Sequence, residues 1–128
     1  MAENTLEAAI VDMRNGFHNW ACFKAHQCGE FAVKALLRSI GKPAYGHSIY
    51  KFLVLLREEG FSVGEELIRK AKTLDQYYTP TRYPDIWPEG TPYEYYSEDD
   101  SQRAISFCRE ILEWVKNTWK ELSKKEKK

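Results

Sequence analysis

The stretch GFHNWACFKAHQCGEFAVKALLRSI, residues 16–40, holds no proline and a single internal glycine, Gly29. Good helix formers fill the rest, enough for about six or seven turns. At about 100° per residue, Ala21, Cys22, Ala25, Cys28, Ala32, Val33, Ala35 and Leu36 gather on one side. Side chains that small let another backbone come close. On the other side His26, Glu30, Lys34 and Arg38 recur every four residues, with Trp20, Phe23 and Phe31 between them. A simple surface helix keeps large aromatics off its polar face. The spacing therefore predicts a central helix, packed by neighbours on the small-residue face and covered by a loop or a second subunit on the mixed face.

The remaining segments supply those neighbours. Residues 5–15 place Leu6, Ala9, Ile10 and Met13 at helical spacing, with Thr5 as a possible N-cap and Asn15-Gly16 as a break. Gly41 and Pro43 stop the central helix. A third helix is expected from about residues 46–48 to Glu59, with Ile49, Phe52, Leu53 and Leu56 inward and Gly60 closing it. A fourth is expected from about Val63 to Tyr77, its buried stripe being Leu67, Ile68, Ala71, Leu74 and Tyr78. Glu65 and Glu66 in its first turn suit the helix dipole.

The pattern then changes. Residues 79–96, TPTRYPDIWPEGTPYEYY, carry four of the five prolines and cannot be helical throughout. With Tyr83, Trp87, Tyr93, Tyr95 and Tyr96 in it, this segment reads as an ordered, proline-stiffened strap against the helices. Ser97 followed by Glu98, Asp99 and Asp100 opens a last helix. Its stripe is Ile105, Cys108, Ile111, Leu112, Val115, Trp119 and Leu122, and lysines at 116, 120, 124 and 125 load its C-terminal end. No strand signal competes, so the expected fold is all-α: an up-and-down bundle of four to five helices over residues 1–122, then a basic tail at 123–128.

Composition restricts the function. With 43% hydrophobic and 14% aromatic residues the chain can bury a core. Nineteen basic side chains balance nineteen acidic ones, so no global field draws in nucleic acid. No apolar run is long enough for a membrane span, and the expected setting is soluble and cytoplasmic. Cys22, Cys28 and Cys108 form no CxxC and read as reduced core thiols. A metal site from Cys22, His26 and Cys28 fails because Cys28 points away from His26 on a helix.

Four places could carry chemistry. Arg14 and His18 would face the same way only if one helix ran through Gly16; otherwise they decorate a junction. His26 stands one turn before Glu30, whose carboxylate could raise the imidazole's basicity or hold it structurally. His47 lies at an expected helix N-terminus, where free amides favour an anion such as a phosphate, or it merely flanks the cap. Tyr77, Tyr78, Arg82, Tyr83, Asp85 and Trp87 combine stacking surfaces with a guanidinium and a carboxylate. That set can hold a nucleotide, and it can equally glue a loop to a bundle.

Two blocks, WACFKAHQCGEFAVKALL followed by GHS, and LDQYYTPTRYPD after the fourth helix, resemble the prokaryotic HEPN domain family (higher eukaryotes and prokaryotes nucleotide-binding). The resemblance covers roughly residues 5–120. It implies an all-α bundle, a homodimer, no cofactor, and a minimal nucleotidyltransferase as partner in a toxin–antitoxin-like pair. Carried onto this sequence, the family blocks pick out Trp20, His26, Glu30, Lys34, His47, Tyr78, Arg82, Tyr83, Pro84 and Asp85, of which His26, Glu30, Lys34, His47, Tyr78, Arg82, Tyr83 and Asp85 are the expected nucleotide- or partner-binding positions. Many family members are metal-independent ribonucleases with an arginine followed by a histidine after four to six residues. Here Arg14 and His18 have three residues between them, and Arg38 and His47 have eight. The resemblance therefore favours a binding module, with an endoribonuclease using Arg14, His18, His26 or His47, or a purely structural partner subunit, as the alternatives.

Overall fold

The computed structural model describes residues 2–78 and 96–126. Five helices make up these residues: α1 (Ala2–Arg14), α2 (His18–Ser39), α3 (Ile49–Glu58), α4 (Glu65–Asp75) and α5 (Glu98–Glu126). There is no strand among them. The fold is an all-α bundle.

The central role of α2 is borne out, since it packs against each of the other four helices. Ala21, Cys22, Ala25, Cys28, Ala32, Val33 and Leu36 are all buried, as the small-residue face requires. Ala35 departs from that expectation and is exposed at the edge of the stripe. Larger side chains from the partners fill the space these small residues leave: Ile49, Phe52, Leu53 and Leu56 from α3, Leu74 from α4, and Ile111 from α5. Burying such side chains contributes about 1.5–3 kcal/mol each before entropy is counted, so this interlock is the main source of stability.

The chain reverses by backbone chemistry that the sequence announces. Gly16 has φ 81 and Gly41 has φ 77, a region costly for any residue with a Cβ. Around each, the amide after the glycine reaches back past the helix end, Phe17 N to Asp12 O at 2.8 Å and Lys42 N to Leu37 O at 3.0 Å. These hydrogen bonds satisfy carbonyls left free at the helix ends.

Boundaries differ from the sequence expectation at several ends. The first helix begins at Ala2, ahead of Thr5. The third begins at Ile49, with Ser48 as N-cap accepting from Lys51 N at 3.2 Å. The fourth is shorter than 63–77. The last continues through 123–126, the start of the expected tail. At its head Ser97 caps as expected, and Asp100 closes the capping box by accepting from Ser97 N at 2.9 Å. Trp119, expected in the buried stripe of that helix, is 40% exposed because this far along α5 less of the bundle covers it.

Candidate functional site

The polar stripe of α2 is not uniformly at the surface. His26 is completely buried and Glu30 nearly so, whereas the Lys34 side chain is 15% exposed and Arg38 is open to solvent. Burying an imidazole and a carboxylate is costly unless both find partners. Here α3 and α4 deliver them.

Asp75, in the last turn of α4, is the hub. Its Oδ1 faces His26 Nε2 at 3.1 Å and accepts from Ile49 N at 2.9 Å; its Oδ2 accepts from Ser48 Oγ at 2.9 Å and Tyr50 N at 3.1 Å. A carboxylate only accepts, so the His26 hydrogen on this side sits on Nε2. One side chain thereby ties α4 to the N-terminus of α3 and to the middle of α2. It also supplies the anion for which the α3 N-terminus is suited. A phosphate at this position, one of the two readings of His47, would have to compete with Asp75 for the Ile49 and Tyr50 amides.

Glu30 organises the outer half. It accepts from Lys34 Nζ at 2.8 Å through Oε2, and its Oε1 lies 3.1 Å from His47 Nδ1. His26 Nδ1 stands 3.9 Å from the same oxygen, too far to bond, and is a buried nitrogen without a hydrogen-bond partner. The His47 ring stacks on Tyr78 with centroids 4.5 Å apart and planes 17° from parallel. The Tyr78 centroid also lies 5.4 Å from that of His26 and 6.1 Å from that of Phe23. With its side chain 52% exposed and Nδ1 turned to Glu30, His47 is the reachable imidazole of the cluster. A histidine steadied by a carboxylate on one nitrogen is an arrangement suited to moving a proton at the other.

The structure thus brings His26, Glu30, Lys34, His47 and Tyr78 together, with Asp75 and Ser48 added. Arg82, Tyr83, Pro84 and Asp85 lie outside the described residues. Arg14 and His18 do not share a helix face: α1 ends at Arg14, Gly16 turns the chain, and α2 starts at His18. His18 instead donates from Nδ1 to Ser101 Oγ at 2.9 Å, that hydroxyl giving its own hydrogen to Glu98 O. Trp20, carried over from the family block, is 43% exposed and meets Phe23 edge-on at 6.2 Å.

Near the foot of α5, burial pushes the Cys22 thiol up to about 12, with Asp100 adding to the effect. The Tyr77 hydroxyl is raised, and Tyr96 is raised to about 12, chiefly by burial in both cases. These groups stay protonated and offer no nucleophile at neutral pH. Among the described residues no group of three or more His, Cys, Asp or Glu side chains could hold a metal ion. No described helix is long and apolar enough to cross a membrane.

A five-helix bundle that gathers imidazoles and carboxylates along its central helix fits the HEPN domain, and the model of that domain matches residues 1–118. The chain belongs to the HEPN family. Its structure is similar to TT1696 from Thermus thermophilus, 39% identical, with a TM-score of 0.87 and 91% of each chain covered. It is similar also to ST0689, an archaeal HEPN homologue, at 41% identity and a TM-score of 0.77 over 91% of this chain and 90% of that one. An HEPN domain protein from Thermotoga maritima gives 34%, 0.74 and 93% of each chain. In sequence the chain resembles MJ1304 of Methanocaldococcus jannaschii, named as a toxin candidate, at 26% identity over 134 residues, 94% of this chain and 84% of that protein.

Proposed function

We propose that this HEPN chain is a binding module that engages a nucleotide or a minimal nucleotidyltransferase within a toxin–antitoxin-like pair. The observation that carries the reading is the half-open cluster in which Glu30 holds both Lys34 and His47, while His47 stacks on Tyr78. A ring platform, an imidazole and an ammonium at one edge suit a base and its phosphate, or a polar partner surface. Tyr78 stands in the same sequence block, LDQYYTPTRYPD, as Arg82, Tyr83 and Asp85, so these three belong to the same proposal. The name of the Methanocaldococcus jannaschii relative supports a toxin-like setting. As the family resemblance implies, the working unit is a homodimer.

The test is titration of the purified chain with AMP and ATP, beside co-purification with a minimal nucleotidyltransferase, for the wild type and for Lys34→Ala, His47→Ala and Arg82→Ala. Each substitution should weaken at least one of the two interactions by roughly tenfold, the loss of one charge-assisted hydrogen bond. Unchanged affinities in all three variants would remove the assignment.

The exposed His47 beside Glu30 also favours a second reading, a metal-independent endoribonuclease in which His47 takes the ribose 2′-hydroxyl proton. Cleavage of single-stranded RNA in EDTA that His47→Ala abolishes would put this reading first. Cleavage that persists in His47→Ala would sink it.

A further inference from the structure

A cavity beside the imidazole cluster, sharing Lys34 with it, lies in a groove bounded by the start of α1, the far end of α2 and the second half of α5. Its volume is about 670 Å³, within the range of roughly 300–1,000 Å³ usual for small-molecule sites. Phe31 from α2 and Trp119 from α5 supply aromatic walls, with Ala35, Leu112 and Val115 between them. Ala35 matters most to access, because its exposed methyl leaves open a surface that a larger residue would fill.

The charges around this groove are not equally available. Lys34 lines it, but its ammonium is bound to Glu30 at 2.8 Å and lies 5.6 Å from the Phe52 ring centroid, so the groove meets mainly its stem. Glu3, on the α1 side, is held by Lys116, whose ammonium keeps the carboxyl below its usual range. Arg38 is exposed, and among the described residues its guanidinium has no ion-pair or hydrogen-bond partner. The groove therefore offers two aromatic walls and one uncommitted guanidinium. A nucleotide phosphate chain carries two or more negative charges and would be underpaired here. A flat ring bearing a single carboxylate matches both features, since guanidinium binds carboxylate in a planar, two-pronged fashion.

We propose that the groove between α1, α2 and α5 is a binding site for a planar aromatic monocarboxylate, with Phe31 and Trp119 against its ring and Arg38 on its carboxylate. The groove shares the Lys34 stem with the His47 cluster, but the proposal does not depend on the function proposed for that cluster.

The probe is 2-naphthoate, compared with its uncharged analogue 2-naphthamide and with AMP, by saturation-transfer NMR and calorimetry on the full chain. Naphthoate should bind with a dissociation constant on the order of 0.1–1 mM, as expected for a ligand of that size. Arg38→Gln should weaken naphthoate by roughly five- to tenfold and leave naphthamide unchanged. Ala35→Phe, at an exposed helix position that does not threaten the fold, should abolish binding of both. The proposal is overturned if naphthoate shows no saturable binding up to about 10 mM, if Arg38→Gln affects the acid and the amide equally, if Ala35→Phe binds like the wild type, or if AMP displaces naphthoate more strongly than unlabelled naphthoate does.

Discussion

Replacing Asp75 by alanine should be the most damaging single change at the polar centre. The substitution removes the acceptor for two α3 amides and for Ser48 Oγ, and leaves His26, completely buried, with neither ring nitrogen hydrogen-bonded. Losing the cap costs about 1 kcal/mol. An unpaired imidazole N–H in the interior costs about 2 kcal/mol. Against this, an acidic group leaves the last turn of α4, where the dipole disfavours it, returning about 0.5 kcal/mol. The expected loss is roughly 2–3 kcal/mol, or a fall in Tm of about 10 °C for a domain of this size. Urea unfolding followed by far-UV circular dichroism measures it, with an unchanged m-value showing that the same surface is exposed. Asp75→Asn keeps one carbonyl oxygen and should lose about half as much. Replacing His26 by leucine in the Asp75→Ala background removes the stranded N–H, so the two changes should couple by about 1–2 kcal/mol. A loss below about 0.5 kcal/mol for Asp75→Ala, or strict additivity with His26→Leu, would refute the idea that Asp75 fastens α2, α3 and α4 together.

The core yields two more expectations. Burial raises Cys22 to about 12, and the neighbouring Cys28 together with burial raises Cys108. Cys22, Cys28 and Cys108 are all buried, so the three thiols should resist a thiol reagent at pH 8 in the native state and react fully in denaturant. The unfolded chain ionises Cys22 and Cys108 above about pH 8.5, whereas the folded chain holds their protons. The stability they contribute is therefore fully present below that pH and declines as pH rises toward 12, by up to about 1.4 kcal/mol per unit for each of the two; urea midpoints that stay flat from pH 8 to 10.5 would contradict this. At Gly29 a Cβ would sit 2.8 Å from Ile49 Cδ1, and Ile49 has no exposed surface. Gly29→Val should therefore destabilise the fold by about 2 kcal/mol in urea, the cost of overpacking exceeding the gain in helix propensity; an equally or more stable variant would refute this packing.

Much of the bundle was legible because its signals are local. Alanines and cysteines at helical spacing specified which face of α2 is buried, and glycines at 16, 41 and 60 marked the breaks. What escaped was long-range. Asp75 lies 49 positions from His26 and 26 from Ile49, and no periodicity connects them. One signal was readable: an aspartate in the last turn of α4 has the wrong sign for that helix end. Such a residue is tolerated where another helix presents its N-terminus to it, which α3 does. The contact between His18 and Ser101, 83 positions apart, was hidden for the same reason. Ala35 and Trp119 were misplaced because a stripe gives direction around a helix and not how far along it the neighbours reach.

The placement of Asp75 also decides which atoms of the cluster can meet a ligand. The Ile49 and Tyr50 amides and His26 Nε2 all converge on its carboxylate, so an incoming anion at the α3 N-terminus would first have to displace Asp75 and leave that charge unpaired. Breaking a pair of this kind from one side costs more than the pair contributes. The inner half is therefore a fastening, and under the proposed binding function recognition would fall to the outer half: the Tyr78 ring, the partly exposed Lys34 and the exposed side of His47. Glu30 is shared by both halves, since its Oε1 faces His47 at 3.1 Å and His26 at 3.9 Å. A ligand that draws Lys34 away would take positive charge from a nearly buried carboxylate, and one that draws His47 away would take a polar contact from it. Occupancy of the outer edge is thus coupled through one side chain to the middle of α2, the helix on which every other element is packed.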